Sequence, residues 1–229
     1  IKEREDALLA RALTAWRAEP TLQILGNLAA ERLSIVSFVI KAPDGLFLHH
    51  NFVVSLLNDL FGIQTRGGCS CAGPYGHRLL GIGHERSHAF ERRIATGCEG
   101  IKPGWVRVNF NYFVDAAVTD YIIEAVRLVA RDGYRLLPDY RFDAQTGLWH
   151  HRGGPLEPPL RLSDISYADG AMSYPHHETT AEASVLATYL DEARRIFAAA
   201  PAELAPAASV DVDFDDLRWF ALPADCLVG

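Results

Sequence analysis

A glycine-rich segment, RGGCSCAGP at residues 66–74, interrupts the regular patterns in the first part of the chain. It has neither a helical nor a strand period and is rich in turn formers. It therefore predicts a loop whose backbone another group can approach closely. Loops held by rigid elements are frequent sites of chemistry, so the elements around this segment decide both the fold and the candidate site.

Two helices and two strands are predicted before the segment. A first helix with one apolar stripe ends at Pro20, and strand candidates follow at Leu22–Leu25 and Ser34–Ile40. A second helix is predicted from about His49 to Phe61, with Gly62 as its C-terminal stop. The stripe of the first helix consists of Leu8, Leu9, Ala12, Leu13 and Trp16.

A further strand and helix are predicted after a His- and Arg-rich stretch. Trp105–Tyr112 alternates between apolar and polar residues, which indicates a strand with one polar face. Asp115 is the expected cap of a helix that runs to about Arg131 and ends near Gly133. Residues 1–133 are therefore predicted to form a compact, three-layer-like α+β domain in which helices cover a small sheet.

Residues 134–229 are predicted to form an extension of different character. It contains a hairpin, a Pro-rich connection, a helix that starts at the capping box of Thr179 and Glu182, a linker and a closing strand. The acidic run Asp211–Asp216 fits a solvated edge or, because it alternates with apolar residues, an edge strand. The other bounds are Tyr140–Phe142 with Leu148–His150 for the hairpin, Pro155–Pro159, Ala198–Ala208 for the linker and Leu217–Leu222 for the strand.

The composition excludes some classes of protein. A formal net charge of −7 in 229 residues argues against a nonspecific nucleic-acid binder, which needs clustered Lys and Arg. Four unevenly spaced cysteines do not form the framework of a small secreted domain, which favours a reducing cytoplasm. No apolar run of the sequence reaches the length of a membrane span. The chain opens without Met or a signal pattern, and we expect a fragment of a longer protein.

Three residues are candidates for chemistry. Cys71 has a glycine-rich setting that suits a reactive thiolate, with burial as a small apolar side chain as the alternative. Arg107 shares its strand face with Asn109 and Asn111, which favours a ligand-facing surface over an ordinary ion pair. Arg66 fits either substrate contact or hydrogen bonds to loop carbonyls.

The pattern Arg66-x-Gly68-x-x-Cys71-Ala72-x-Pro74 resembles the active-site loop of class V aminotransferases, in the branch of cysteine desulfurases and selenocysteine lyases. The preceding helices and strand follow in the family's order, and the resemblance covers residues 1–133. It implies the small C-terminal domain of a dimeric, fold-type I pyridoxal-phosphate transferase that acts on an amino acid. It implies Cys71 as nucleophile and persulfide carrier, Arg107 as clamp of the substrate carboxylate, and Arg66 as loop anchor or second substrate contact.

Three features depart from the family's pattern. Cys69 and Ser70 stand where many desulfurases have histidines, and the stretch from His77 to Lys102 is longer than in short family members. No lysine of this chain has a suitable context for holding the cofactor covalently. The resemblance therefore implies that a missing N-terminal domain binds pyridoxal phosphate and that this chain alone is inactive.

Two alternatives stay open. An aminotransferase or lyase of the same fold would not use Cys71. A thiol- or zinc-binding accessory module would use Cys69, Cys71, His77 and the i, i+4 pair His84 and His88, but no second ligand pair follows, so we predict no metal site. The histidine doublets are predicted to lie on solvated faces or at helix starts: they are His49-His50, His150-His151 and His176-His177.

Overall fold

A computed structural model describes residues 1–69, 73–154, 161–175 and 182–227 and shows a mixed α+β architecture with small antiparallel sheets. The strands of the main sheet are β1 (Leu22–Ile24), β2 (Ile35–Ile40), β3 (Arg66–Gly68) and β4 (Trp105–Asn109). Their order is β1-β2-β4-β3, and neighbouring strands are antiparallel. The β-branched and aromatic residues of β2 and β4 suit these central positions.

Three helices cover one face of this sheet. The helices are α1 (Lys2–Arg17), α2 (His50–Phe61), α3 (Gly73–Leu80), α4 (His84–Ala95), α5 (Ala116–Asp132), α6 (Val185–Ala199) and α7 (Val212–Leu217). α1, α2 and α5 bury their apolar sides on the sheet, where the ring of Trp16 lies 5.5 Å from that of Phe38 and 5.7 Å from that of Phe110. The predicted ends are confirmed, since Asp115 Oδ1 accepts a hydrogen bond from Val118 N and Gly62 ends α2 with a φ of 63°.

The opposite face of the sheet is covered at one end. There Leu25, Val39 and Trp105 form a small second core, against which Leu79 and Leu80 of α3 pack. Across the rest of this face the outward residues of β2, β4 and β3 are polar or partly exposed. We call this part, formed by Ile35, Ser37, Arg66, Arg107 and Asn109, the open sheet face.

The main core continues past Gly133. The hairpin β5 (Tyr140–Phe142) and β6 (Trp149–His151) packs its aromatic residues into the same cluster as the residues of α2. Phe214 of α7 and Phe220 join that cluster and are fully buried. Residues on both sides of Gly133 therefore form one packed body, while the division into a family-like segment 1–133 and an extension 134–229 stays a prediction about resemblance.

Several predicted elements differ from the structure. Arg66–Gly68, predicted as loop, forms β3, because Gly67 and Gly68 let the strand lie close to α2 and β4. The strand predicted to reach Tyr112 ends at Asn109. The closing strand near Leu217–Leu222 is wrong apart from a single bridge of Phe220 to Phe47.

The edge-strand interpretation of the acidic run is also wrong. Asp211 accepts a hydrogen bond from Phe214 N at 2.9 Å and caps α7, and the helical turn turns Phe214 inward while the aspartates face water. Thr179 and the Pro-rich connection Pro155–Pro159 lie outside the described residues. Within the described part of the chain, no helix is both long and apolar enough to cross a membrane.

Candidate functional site

The open sheet face brings the two predicted arginines together. Arg66 of β3 lies directly opposite Arg107 of β4, and Arg107 lies opposite Ser37 of β2. Directly opposed residues of antiparallel strands place their side chains on the same face, with Cβ atoms about 5 Å apart. The two guanidinium groups therefore leave the sheet side by side.

Neither arginine has a counter-charge among the described residues. Arg66 is exposed, Arg107 is half-buried, and no hydrogen bond or ion pair of either side chain is present within the described ranges. By contrast, Arg127 Nε and Arg131 Nε donate to the buried carboxylate of Glu19 at 2.7 and 2.8 Å. Like charges directly opposite each other destabilise a sheet. The alternatives of a loop-carbonyl anchor for Arg66 and an ion pair for Arg107 are thus not observed in the described part of the chain.

The first turn of α2 fixes the position of β3. A Cβ on Gly67 would lie 2.9 Å from Asn51 Oδ1 and 3.0 Å from Val54 Cγ2, so a glycine at this position favours the close approach of β3 to the helix. A Cβ on Gly104 would lie 2.7 Å from the Cα of Gly68 and 2.8 Å from His50 Nδ1. Gly104 precedes β4, and these contacts hold β3 and β4 close to α2. They also fix where the chain leaves β3 at Cys69.

The histidine doublet under β3 is buried, contrary to the prediction of a solvated face. His49 is the N-cap of α2, as the helix-start interpretation predicts, but both rings lie in the core and stack on each other at 4.3 Å. Trp219 stacks on His50 at 5.7 Å and encloses it. The sequence holds a signal for this burial. His49 and His50 lie three residues before Phe52 and Val53, so the helical spacing places them along the apolar side of α2.

Burial dominates the protonation of the two histidines. It lowers the pKa of His50 to about 3, with the nearby charge of Lys102 adding to the effect. It also lowers the pKa of His49 well below 6.5, and only the hydrogen bond between His49 Nε2 and Gly100 O, at 3.2 Å, opposes it. Both rings are therefore neutral at physiological pH.

Cys71 lies outside the described residues, so its role stays a prediction. Its neighbour Cys69 is half-buried and lines a cavity of about 460 Å³ with His77, Lys102 and Trp105. Burial raises the pKa of the Cys98 thiol, and that of Cys226 to about 12. Burial of those two cysteines disfavours a thiolate at either position. Cys69, in the glycine-rich segment, is partly accessible to solvent.

Where they are described, the residues of the zinc alternative do not form a metal-binding group, although Cys69 and His77 line the same cavity. His77 Nδ1 lies 3.1 Å from Ser87 Oγ, whereas His84 and His88 face each other on exposed α4 with Nε2 atoms 3.1 Å apart. Among the described residues, no group of three or more His, Cys, Asp or Glu side chains is placed to hold a metal ion. The described geometry thus gives the zinc alternative no support. Because Cys71 lies outside the described residues, this statement concerns only the other residues of that alternative.

The arrangement suits binding of a carboxylate. Two guanidinium groups on one open face present planar sets of N–H donors, and the hydroxyl of Ser37 stands in the same cross-strand row. Comparison with models of protein families and with curated proteins found no match for the chain.

Proposed function

We propose that this chain is the substrate-facing small domain of a pyridoxal-phosphate enzyme of the class V aminotransferase type, and that Arg107 with Arg66 binds the carboxylate of an amino-acid substrate. The observation that carries the proposal is the pair of arginines side by side on the open sheet face, which have no counter-charge among the described residues. The loop pattern Arg66-x-Gly68-x-x-Cys71 supports the same family. On this proposal the sheet is that of a fold-type I transferase small domain, and its enzyme works as a dimer.

The electrostatics explain why an anion belongs at this site. An exposed pair of like charges is tolerated at a small cost, which a bound carboxylate reverses by accepting charge-assisted hydrogen bonds from both groups. A guanidinium also fixes the orientation of a planar carboxylate through two parallel hydrogen bonds, which an ammonium cannot do. The half-buried Arg107 is the better clamp, and the exposed Arg66 is the second contact.

The residues of this chain do not fit a covalent site for the cofactor. Lys2 is exposed and pairs with Asp6 at 2.9 Å, Lys102 pairs with Glu99 at 3.3 Å, and Lys41 is exposed. Lys102 lines the cavity that contains Cys69, but its side chain is 45% exposed and its ammonium is paired with Glu99, and none of the three lysines is buried. The proposal therefore assigns pyridoxal phosphate to a domain outside this chain, and gives this chain the tasks of holding and orienting the substrate.

Sulfur transfer from cysteine is the sharper form of the proposal. The Cys71 thiolate would attack the sulfur of the substrate, the bond between Cβ and sulfur would break with its electron pair left on the carbon side, and Cys71 would keep the sulfur as a persulfide. The cofactor would act as the electron sink for that pair. We place the protein in a reducing compartment, the cytoplasm, because Cys69, Cys98 and Cys226 are free thiols.

Replacing Arg107 tests the carboxylate clamp. In the protein that includes the cofactor domain, we expect Arg107→Lys to lower kcat/KM for the amino-acid substrate by about 30- to 100-fold, because it keeps the charge but loses the paired hydrogen bonds. Arg141→Lys is the matched control, since Arg141 is an exposed strand arginine on the distant hairpin. Equal kinetics for the two variants would refute the clamp.

Replacing the two loop cysteines separates sulfur transfer from the alternatives. With an added thiol that reduces the persulfide and releases its outer sulfur as sulfide, we expect Cys71→Ser to abolish sulfide release from cysteine, because serine cannot accept the sulfur, while Cys69→Ser retains it. Sulfide and alanine are measured together. If Cys71→Ser matches the wild type while Arg107→Lys remains impaired, the enzyme is an aminotransferase or lyase that does not use Cys71.

A further inference from the structure

A cavity of about 760 Å³ is lined by residues of α2 and of the β5–β6 hairpin. Its volume falls in the range of small-molecule sites, about 300–1,000 Å³. Gln64 and Thr65, which precede β3, also line it. Neither Arg66 nor Arg107 does, so the cavity is separate from the proposed carboxylate site. We call it the hairpin cavity.

Two residues that line the hairpin cavity each have a buried polar atom without a hydrogen-bond partner among the described residues. These atoms are Nε1 of Trp149, a residue that is 3% exposed, and Oγ1 of Thr65. A buried N–H or hydroxyl that makes no hydrogen bond is costly, and most such groups in folded proteins are paired. Two of them at one cavity therefore indicate a polar molecule that completes their hydrogen bonds.

The carboxylate of Asp59 is held in a fixed position at the same cavity. Its Oδ2 accepts a hydrogen bond from the Tyr140 hydroxyl at 2.8 Å, and its Oδ1 accepts one from Asn58 Nδ2 at 3.1 Å. Burial and the charge of Asp59 raise the pKa of Tyr140, so the phenol keeps its proton and remains a donor. Each carboxylate oxygen can accept more than one hydrogen bond, so Asp59 keeps acceptor capacity for a ligand.

The carboxylates of Asp59 and Asp139 are the charged groups of the Asp, Glu, Lys and Arg residues that line the hairpin cavity. Among the described residues, no lysine or arginine lines it. His150 and His151 also line it, and His151 Nδ1 accepts a hydrogen bond from Gly153 N at 3.1 Å. A cation in this cavity thus meets two opposite charges, whereas an anion is repelled by both.

Three arginines are chain neighbours of these lining residues without lining the cavity themselves. Arg135 Nε pairs with Asp132 Oδ1 at 3.2 Å, so its charge is compensated. Arg152 is exposed, and its Nε donates to a backbone carbonyl at 2.7 Å. Arg141 is exposed and lies opposite His150 on the hairpin. Charges that are paired or in contact with water act weakly on a neighbouring site, so these arginines leave the cavity suited to a cation.

We propose that the hairpin cavity binds a hydroxylated amine of the amino-sugar class. The ammonium group of the ligand pairs with the carboxylates of Asp59 and Asp139, and its hydroxyl groups form hydrogen bonds with Trp149 Nε1 and Thr65 Oγ1. Apolar side chains of the cavity, such as that of Leu148, pack against the carbon skeleton. This site does not rest on the proposed function, so binding is measured on the full chain without a cofactor domain.

Isothermal titration calorimetry of the full chain at about pH 7 tests the site with three probes. Glucosamine carries an ammonium group and hydroxyl groups, glucose carries only the hydroxyl groups, and cyclohexylamine carries only the ammonium group. We expect glucosamine to bind with a dissociation constant of about 1 mM or lower. Glucose and cyclohexylamine should each bind at least about tenfold more weakly, because each lacks one of the two kinds of contact.

Two substitutions separate the hydrogen bond from the charge. Thr65→Val removes the buried hydroxyl and keeps the shape of the side chain, and Asp139→Asn removes a charge at an exposed position. We expect each to weaken glucosamine binding at least about fivefold. Asp213→Asn, at an exposed position of α7, is the control and should leave binding unchanged. Because Thr65 Oγ1 has no partner among the described residues, Thr65→Val should not lower the temperature of unfolding.

The other outcomes overturn the proposal. If none of the three probes binds, water and not a hydroxylated amine completes the hydrogen bonds of Trp149 and Thr65. Equal affinity for glucosamine and glucose would remove the role of the carboxylates, and equal affinity for glucosamine and cyclohexylamine would remove that of the hydroxyl groups. Binding that neither Thr65→Val nor Asp139→Asn weakens would place the probe elsewhere. If Asp139→Asn lowers the temperature of unfolding, Thr65→Val alone decides.

Discussion

Lowering the pH from about 7.5 to about 5 is expected to reduce the free energy of unfolding by about 2 kcal/mol through His50, and further in the same direction through His49. In the unfolded chain each histidine titrates near 6.5, whereas in the folded protein burial lowers the pKa of His50 to about 3 and that of His49 well below 6.5. As the pH falls below 6.5, the unfolded state binds protons that the folded state does not. The contribution of the two neutral histidines to stability is therefore fully present above about pH 6.5. It is lost progressively as the pH falls toward the lowered pKa values of His49 and His50 in the folded state.

Urea unfolding at several pH values measures this effect. His50→Gln should remove the part of the loss that comes from His50, and His150→Gln, at an exposed position of β6, is the control for the same change of residue. The series stops at about pH 5, because the lowered pKa of Glu19 adds a separate acid sensitivity below about pH 4.5. Burial of Glu19 opposes that lowering, but hydrogen bonds from Arg131 and Arg127 outweigh it. A free energy of unfolding that is equal at pH 7.5 and 5 would contradict burial of the doublet.

Gly104→Ala is expected to reduce the free energy of unfolding by about 3 kcal/mol. Its new methyl group would lie 2.7 Å from the Cα of Gly68 and 2.8 Å from the backbone carbon of Gly68. Because these contacts are with backbone, no side-chain rotation relieves them, and β3 must move away from β4. The same movement would separate Arg66 from Arg107, so binding of substrate should weaken together with stability.

Gly83→Ala is the matched control for this substitution. Gly83 precedes α4 with a φ of −73°, and a Cβ there would meet no atom within 4 Å. Chemical denaturation should show a change below about 1 kcal/mol for this variant. If Gly104→Ala were as stable as Gly83→Ala, the close packing of β3 against β4 would be wrong.

Periodic patterns of sequence predicted the long elements well. The stripes of α1 and α2 and the alternation of β2 and β4 each extend over several residues, so local pattern and burial agree. β3 could not be predicted in this way, because Arg66–Gly68 offers no alternation and pairs only through a neighbour almost forty residues away. The short helix α7 was concealed because its acidic residues alternate with apolar ones over only a few positions.

The candidate site shows the same division. Arg107 was identified from the polar face of its strand, and Arg66 from the loop pattern, but their pairing follows from the strand order β1-β2-β4-β3. Nothing local in the sequence specifies that order. The buried doublet of His49 and His50 was missed for a related reason, since its cover, Trp219 and Phe220, comes from the end of the chain.

The most direct test of the carboxylate clamp removes the carboxylate from the substrate and Arg107 from the protein, separately and together. In the enzyme with its proposed cofactor domain, kcat/KM is measured for the amino acid and for its decarboxylated amine, in the wild type, Arg107→Ala and the control Arg141→Ala. We expect loss of the carboxylate to lower kcat/KM by about 100-fold in the wild type and the control, but by less than about fivefold in Arg107→Ala. An equal loss in all three proteins would contradict the assignment of Arg107 to the substrate carboxylate.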